Sequence, residues 1–274
     1  MAKVRRRGTG ALLGLGALGL VGTLGLRYLW FRQSPLPKEA QLKVLTWRDG
    51  TNLAVAHLHR GHERLVIIAH GFLKTMRNPG FVQLANTLGQ AFDVLTFDFP
   101  GHGLSGGQCS LDFGEAAQVL LDVVDQARAL GYEHIALVGF SMGAAAAIIA
   151  AAEGAPVEAV VSVSSPVRPA RGTGNREHAT WSWRWWAKLM GTRLAPKIAL
   201  RTWPIEYVSQ VAPVPLLIVH CQFDIFVRRE ESEALFALAK PPKDFLYLPW
   251  AIHASPRAAA RPVLSWLQAR MPAL

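Results

Sequence analysis

From residue 41 onward, short apolar runs alternate with stretches of helical spacing. Gln41–Trp47 and Leu53–His59 read as two alternating strands around the turn signal Asp49-Gly50. Leu65-Val66-Ile67-Ile68-Ala69, inside Arg64–His70, is a continuous apolar run, the pattern of a strand buried on both faces. Further strands are predicted over Val94–Asp98, His134–Phe140, Val157–Ser164, Val214–His220 and Asp244–Leu248. Helical spacing is read over Phe81–Gln90, Leu111–Leu130, Ser141–Glu153, Arg229–Lys240 and Pro256–Met271. Repeated strand–helix alternation predicts an α/β domain with a mostly parallel sheet and helices on both faces. A chain of 274 residues is long enough for one such domain with a full core.

The amino terminus has a different pattern. Gly8–Leu26 holds 19 residues without a charge, seven of them Gly. As a helix they would span roughly 28 Å, about one hydrocarbon core. Tyr28, Trp30 and Phe31 follow where an interfacial aromatic belt would sit. Residues 1–33 are therefore expected to form an uncleaved transmembrane anchor, a single pass, joined by a linker at 34–40 to a domain at 41–274. Two other readings are a cleaved secretory signal and a Gly-rich extension lying on a surface. The first is disfavoured because Leu24-Gly25-Leu26 before Arg27 is not a small-x-small cleavage site. Lys3 and Arg5, Arg6 and Arg7 precede the apolar run, and Arg27 and Arg32 follow it. By the positive-inside rule the catalytic domain is expected to be extracytoplasmic.

The net charge of +10 is unevenly placed. Residues 1–33 carry +6 and residues 166–204 carry +7, so the remainder is near −3. No basic stripe accompanies a nucleic-acid motif, which argues against a nucleic-acid partner. Cys109 and Cys221 match no CxxC spacing. Two buried free thiols are expected, although the count also allows one disulfide. Nothing in the pattern sets an oligomeric state.

Candidate chemistry centres on Gly139-Phe140-Ser141-Met142-Gly143, between the apolar run Ile135–Val138 and the Ala-rich helix. A G-x-S-x-G between strand and helix fits a nucleophile elbow, a tight turn that holds a serine at its tip. Other segments carry a resemblance: His70-Gly71-Phe72 after the third strand, Asp98-Phe99-Pro100-Gly101-His102-Gly103-Leu104-Ser105 after the fourth, His220-Cys221-Gln222-Phe223-Asp224, and a terminal His253. With these motifs, residues 41–274 resemble the α/β-hydrolase superfamily, nearest to the branch of monoacylglycerol lipases and serine aminopeptidases. Cys221 stands where Gly is usual.

The resemblance implies a triad in chain order Ser141, Asp224, His253. A serine hydroxyl needs a base to take its proton, and the base needs an orienting carboxylate. His253 is the only histidine after His220; Glu230 and Glu231 rival Asp224 but fall inside the following helix. The oxyanion hole would comprise the amides of Phe72 and Met142. Asp98, His70, His102 and His220 are read as structural, and His57, His59 and His62 as solvated. No metal-ligand spacing such as H-E-x-x-H is present, and no cofactor is expected.

Residues 166–204 are read as an inserted helical cap. Trp181, Trp183, Trp185, Trp186 and Trp203 lie there among basic residues. Such a mixture suits a membrane interface, or a cap whose tryptophans cover an acyl pocket while its arginines are solvated. The expected function is a serine hydrolase of carboxylic esters with lipophilic acyl groups. A thioesterase or an amidase or aminopeptidase would use the same residues, and a non-catalytic binding module is the alternative of another class.

Overall fold

A computed structural model of the chain describes residues 33–167, 181–198 and 201–272. Eight strands form one sheet: β1 (Ala40–Thr46), β2 (Asn52–Leu58), β3 (Arg64–Ala69), β4 (Asp93–Phe97), β5 (His134–Phe140), β6 (Ala159–Val163), β7 (Leu216–Phe223) and β8 (Lys243–Ile252). The helices are α1 (Pro79–Leu88), α2 (Phe113–Ala129), α3 (Met142–Ala152), α4 (Trp181–Leu189), α5 (Arg229–Leu238) and α6 (Pro256–Arg270). The order across the sheet is β1-β2-β4-β3-β5-β6-β7-β8. β2 pairs antiparallel with β1 and β4, and every later pairing is parallel.

The continuous apolar strands bury both faces because successive side chains alternate. Leu65, Ile67, Leu137, Val160 and Ile218 pack on one side with α2 and α3. Val66, Ile68, Val138, Val161 and Val219 pack on the other with α1 and α6. Each such side chain contributes about 1.5–3 kcal/mol on burial. Ten of the eleven residues of α3 are buried, which explains its Ala-rich composition: the helix has neighbours on all sides.

The helix ends follow local chemistry. Asp112 caps α2 by accepting from the Gly114 amide, so the helix starts at Phe113 rather than Leu111. Ser255 accepts from the Ala258 amide and opens α6, with Pro256 in its first turn. β7 and β8 run past their expected ends, to Phe223 and Ile252, because each supplies backbone partners to the other.

The expected anchor lies outside the described residues. Among the described residues, no helix is long and apolar enough to cross a membrane. Part of the cap at 166–204 also lies outside them. Its described return limb is joined to the domain. The Arg193 amide donates to the Gly101 carbonyl at 2.8 Å, and the Cys109 amide donates to the Arg193 carbonyl at 2.8 Å. Within the cap, Arg184 donates to the Ala195 carbonyl at 3.1 Å, and the exposed Arg193 donates to the Gly107 carbonyl at 3.3 Å.

Candidate active site

The carboxyl ends of the parallel strands carry the three residues expected to form a triad. Ser141 follows β5, Asp224 follows β7 and His253 follows β8. At Ser141 the backbone takes φ 51°, ψ −113° before α3 begins. This is an unfavourable conformation for a residue with a Cβ, and the surroundings hold it. The Ser141 amide donates to the Val163 carbonyl at 2.9 Å, and the Phe140 ring packs edge-on to Phe81. Gly139 and Gly143 are required on either side. A Cβ at Gly139 would overlap the Gly143 carbonyl, and one at Gly143 would overlap the Ala69 carbonyl.

His253 Nε2 lies 2.9 Å from Ser141 Oγ, and His253 Nδ1 lies 2.8 Å from both Asp224 carboxylate oxygens. An ionised carboxylate only accepts, so Nδ1 carries the proton and Nε2 of the neutral ring faces the serine hydroxyl as an acceptor. The Asp224 side chain is fully buried, whereas His253 retains 22% exposure toward the cleft. Asp224 Oδ1 also accepts from the amides of Phe226 and Val227, each at 2.9 Å. Burial acts to raise the Asp224 pKa, but His253, the Val227 amide and Ser164 more than offset it, and the carboxyl titrates below its ordinary value.

Gly71 brings the loop after β3 against Ser141. A Cβ at Gly71 would stand 3.1 Å from both Ser141 Cβ and the Phe140 carbonyl oxygen. Phe72 follows that contact in the chain, and Met142 opens α3 directly after Ser141. Glu230 and Glu231 lie elsewhere. Glu231 accepts from the Arg228 amide at 2.9 Å in the capping box of α5.

The surrounding histidines and Asp98 order backbone. Asp98 is buried and accepts from the amides of Met76 at 2.7 Å and Leu104 at 2.9 Å. His70 Nδ1 donates to the Gly71 carbonyl at 2.8 Å, and its Nε2 accepts from the Phe99 amide at 3.0 Å. Burial pulls His70 down to about 4 and His102 down to about 3. His220 bonds Ser232 at 3.0 Å.

Sequence reasoning missed Ser164. It directly follows β6 with φ 52°, is fully buried, and accepts from the Ala254 amide at 3.1 Å beside His253. Its hydroxyl also helps to lower the Asp224 pKa. The available signal was its place just after the strand that lies between those leading to Ser141 and Asp224. Cys221, the departure from the usual Gly, is buried beside Ser164, and burial raises its thiol pKa. Both cysteines are free.

His57 corrects an expectation. It is buried, and its Nε2 lies 2.8 Å from Tyr132 Oη. Tyr132 donates to Asp93, which also bonds His59 Nδ1. Donor atoms of His57, His59 and Asp93 lie within 4.8 Å of one another, the spacing of a metal-ligand group. The Tyr132 hydroxyl stands among them, so the four groups satisfy one another by hydrogen bonds. No linear motif could reveal this group, because β4 inserts between β2 and β3 and carries Asp93 to the end of β2.

With this fold and geometry, the chain belongs to the alpha/beta hydrolase family, whose family model matches residues 66–273. It is similar to N-formylmaleamate deformylase of Pseudomonas putida, with 39% identity over 120 residues, covering 43% of this chain and 42% of that protein. The chain thus matches less than half the length of that curated relative. Its structure is similar to that of the alpha/beta hydrolase GrgF of Penicillium sp. sh18, with TM-score 0.71 and 18% identity over 86% of this chain and 99% of that one. It is also similar to Est1E of Butyrivibrio proteoclasticus with ferulic acid bound, with TM-score 0.67 and 21% identity over 84% of this chain and 99% of that one. At these identities the structural likeness is one of fold.

Proposed function

We propose that this hydrolase cleaves carboxylic esters of lipophilic acyl groups through an acyl-enzyme on Ser141. The observation that carries the reading is the continuous path from Ser141 Oγ through His253 to Asp224. His253 Nε2 takes the Ser141 proton as Oγ attacks the ester carbonyl. Asp224 holds the Nδ1 proton and stabilises the imidazolium. The Phe72 and Met142 amides receive the oxyanion, each worth roughly 3–4 kcal/mol in the transition state. The alcohol leaves with the proton from His253; water then attacks the acyl-enzyme with His253 again as base, and Ser141 Oγ leaves, regaining its proton from His253, to release the acid. These steps use side chains and amides of this chain.

A small recess of about 40 Å³ beside Met142 has an apolar wall of Phe99, Leu111 and Val119 and a polar wall of Ser110, Asp112 and Glu115; the apolar wall is the support for an apolar acyl group. The charge-free run Gly8–Leu26 supports a membrane-tethered enzyme, and Lys3 with Arg5, Arg6 and Arg7 before it against Arg27 and Arg32 after it support a catalytic domain outside the cytoplasm. A second reading, hydrolysis of an N-acyl bond, is favoured by the deformylase relative. The test is a hydrolysis screen of the full chain over ester, thioester and amide libraries, with Ser141→Ala as blank. Turnover of esters with the highest kcat/KM supports the proposal. Preference for amides transfers the assignment to the second reading. Absence of both turnover and labelling by a fluorophosphonate leaves a binding module.

A further inference from the structure

The loops after β7 and β8 expose large apolar side chains beside the triad. Ile225 is 85% exposed, Trp250 82%, Ile252 67% and Phe226 64%. They form one surface. Phe223 pairs in register with Ile252, its ring lies 5.9 Å from that of Trp250, and the Phe226 ring lies 4.9 Å from that of His253. Trp250 is held outward at φ 60°, with its amide donating to Gln222 Oε1 at 3.0 Å. A contiguous exposed apolar patch marks an interaction surface.

The start of the described chain indicates what this surface meets. The Ser34 amide donates to the Arg77 carbonyl at 2.8 Å, and Leu36 packs on Met76. Arg77 lies in the loop at the carboxyl end of β3, and Met76 is tied to Asp98 at the carboxyl end of β4. The chain from Gly8–Leu26 therefore joins the domain at the catalytic pole of the sheet. The seven residues 27–33 reach at most about 25 Å. Four strand spacings separate β3 from β8, about 20 Å, with β5 and Ser141 between them.

We infer that the catalytic pole docks on a phospholipid bilayer, with Ile225, Trp250 and Ile252 as the inserted rim on one side of Ser141 and the Ser34 end of the described chain on the other. The inference rests on the membrane-tethered reading above. An ester dissolved in the bilayer then reaches Ser141 without crossing bulk water. Trp and Phe suit this position because an aromatic ring is stable at the lipid–water boundary.

The test places the full chain in vesicles of phosphatidylcholine and phosphatidylglycerol, with an environment-sensitive fluorophore on Ile225→Cys. Cys109 and Cys221 are buried and stay unlabelled. Leu130→Cys, just after α2 at the opposite pole, serves as reference. Nitroxide lipids should quench the Ile225→Cys label at least two-fold and leave the Leu130→Cys label unchanged. The double variant Trp250→Ser/Ile252→Ser should lose about ten-fold in turnover of a bilayer-dissolved ester and keep its rate on a water-soluble ester. Equal quenching at both positions, or none at either, overturns the inference. A spectral shift that follows protein concentration without lipid also overturns it, in favour of a second copy on this surface. Selective quenching in a protein that hydrolyses no ester upholds the docking and removes only the ester-hydrolase reading.

Discussion

His253 Nε2 sits 2.9 Å from Ser141 Oγ across a separation of 112 residues. The contact exists because β5 and β8 deliver both groups to the same end of one sheet. β5 stops at a strained elbow, and β8 ends where Ala254, at φ 47°, turns the chain and is fixed to Ser164. The contact is thus made by the protein alone, which suits the proposed role of His253 as general base.

Ser141→Ala and His253→Ala should each lower kcat by about 10⁴-fold or more, with a residual rate from the oxyanion amides. Asp224→Asn should lose about 10⁴-fold because its amide favours the wrong imidazole tautomer. Steady-state rates on an activated ester measure all three. Near-native turnover in Ser141→Ala would remove the nucleophile assignment, and an inactive Glu231→Gln with active Asp224→Asn would move the acid.

Ser164→Ala should lower kcat about ten-fold and leave KM unchanged. The loss of one hydrogen bond to a group that must stay oriented is worth about 1.4 kcal/mol. A change in KM with unaltered kcat would show that Ser164 acts on substrate binding instead.

The acid limb of kcat/KM should fall with unit slope, reporting one proton. Asp224 titrates below the ordinary carboxylate value, so it stays ionised through the range in which a histidine base protonates. A slope of two above pH 4 would show that the carboxyl titrates together with the base.

Stability should decline as pH falls below about 6.5. The unfolded state binds a proton at each of His70 and His102 near that pH, whereas the folded state resists until about 4 and about 3. In the window between, the unfolded chain holds more protons, and each histidine contributes a slope of up to about 1.4 kcal/mol per pH unit. Denaturant midpoints at pH 7.5, 6 and 5 measure the slope. An unchanged midpoint over that window would show that neither ring is held neutral.

Gly139→Ala should destabilise by about 3 kcal/mol or prevent folding, because its Cβ meets the backbone carbonyl of Gly143 rather than a movable side chain. A thermal midpoint within 2 °C of the parent would show that the elbow relaxes.

The sequence by itself determined most elements and the tight turn that carries Ser141. Apolar runs such as Leu65–Ala69 specify two-sided burial through a period of two, and the Gly–Ser–Gly spacing specifies a turn through the space that a Cβ would need. Both are local constraints, readable over a few residues. The sheet order was not local. Only the tertiary structure placed β4 between β2 and β3, which buried His57 and joined it to Tyr132 and Asp93. Likewise, Ser164 meets Ala254 only because β6 lies beside β7, and Asp224 meets His253 because β7 and β8 are neighbours in the sheet. Side-chain periodicity records which face of an element is buried. It does not record which distant element covers that face, and the hydrogen-bond partners around Asp224 depend on that choice.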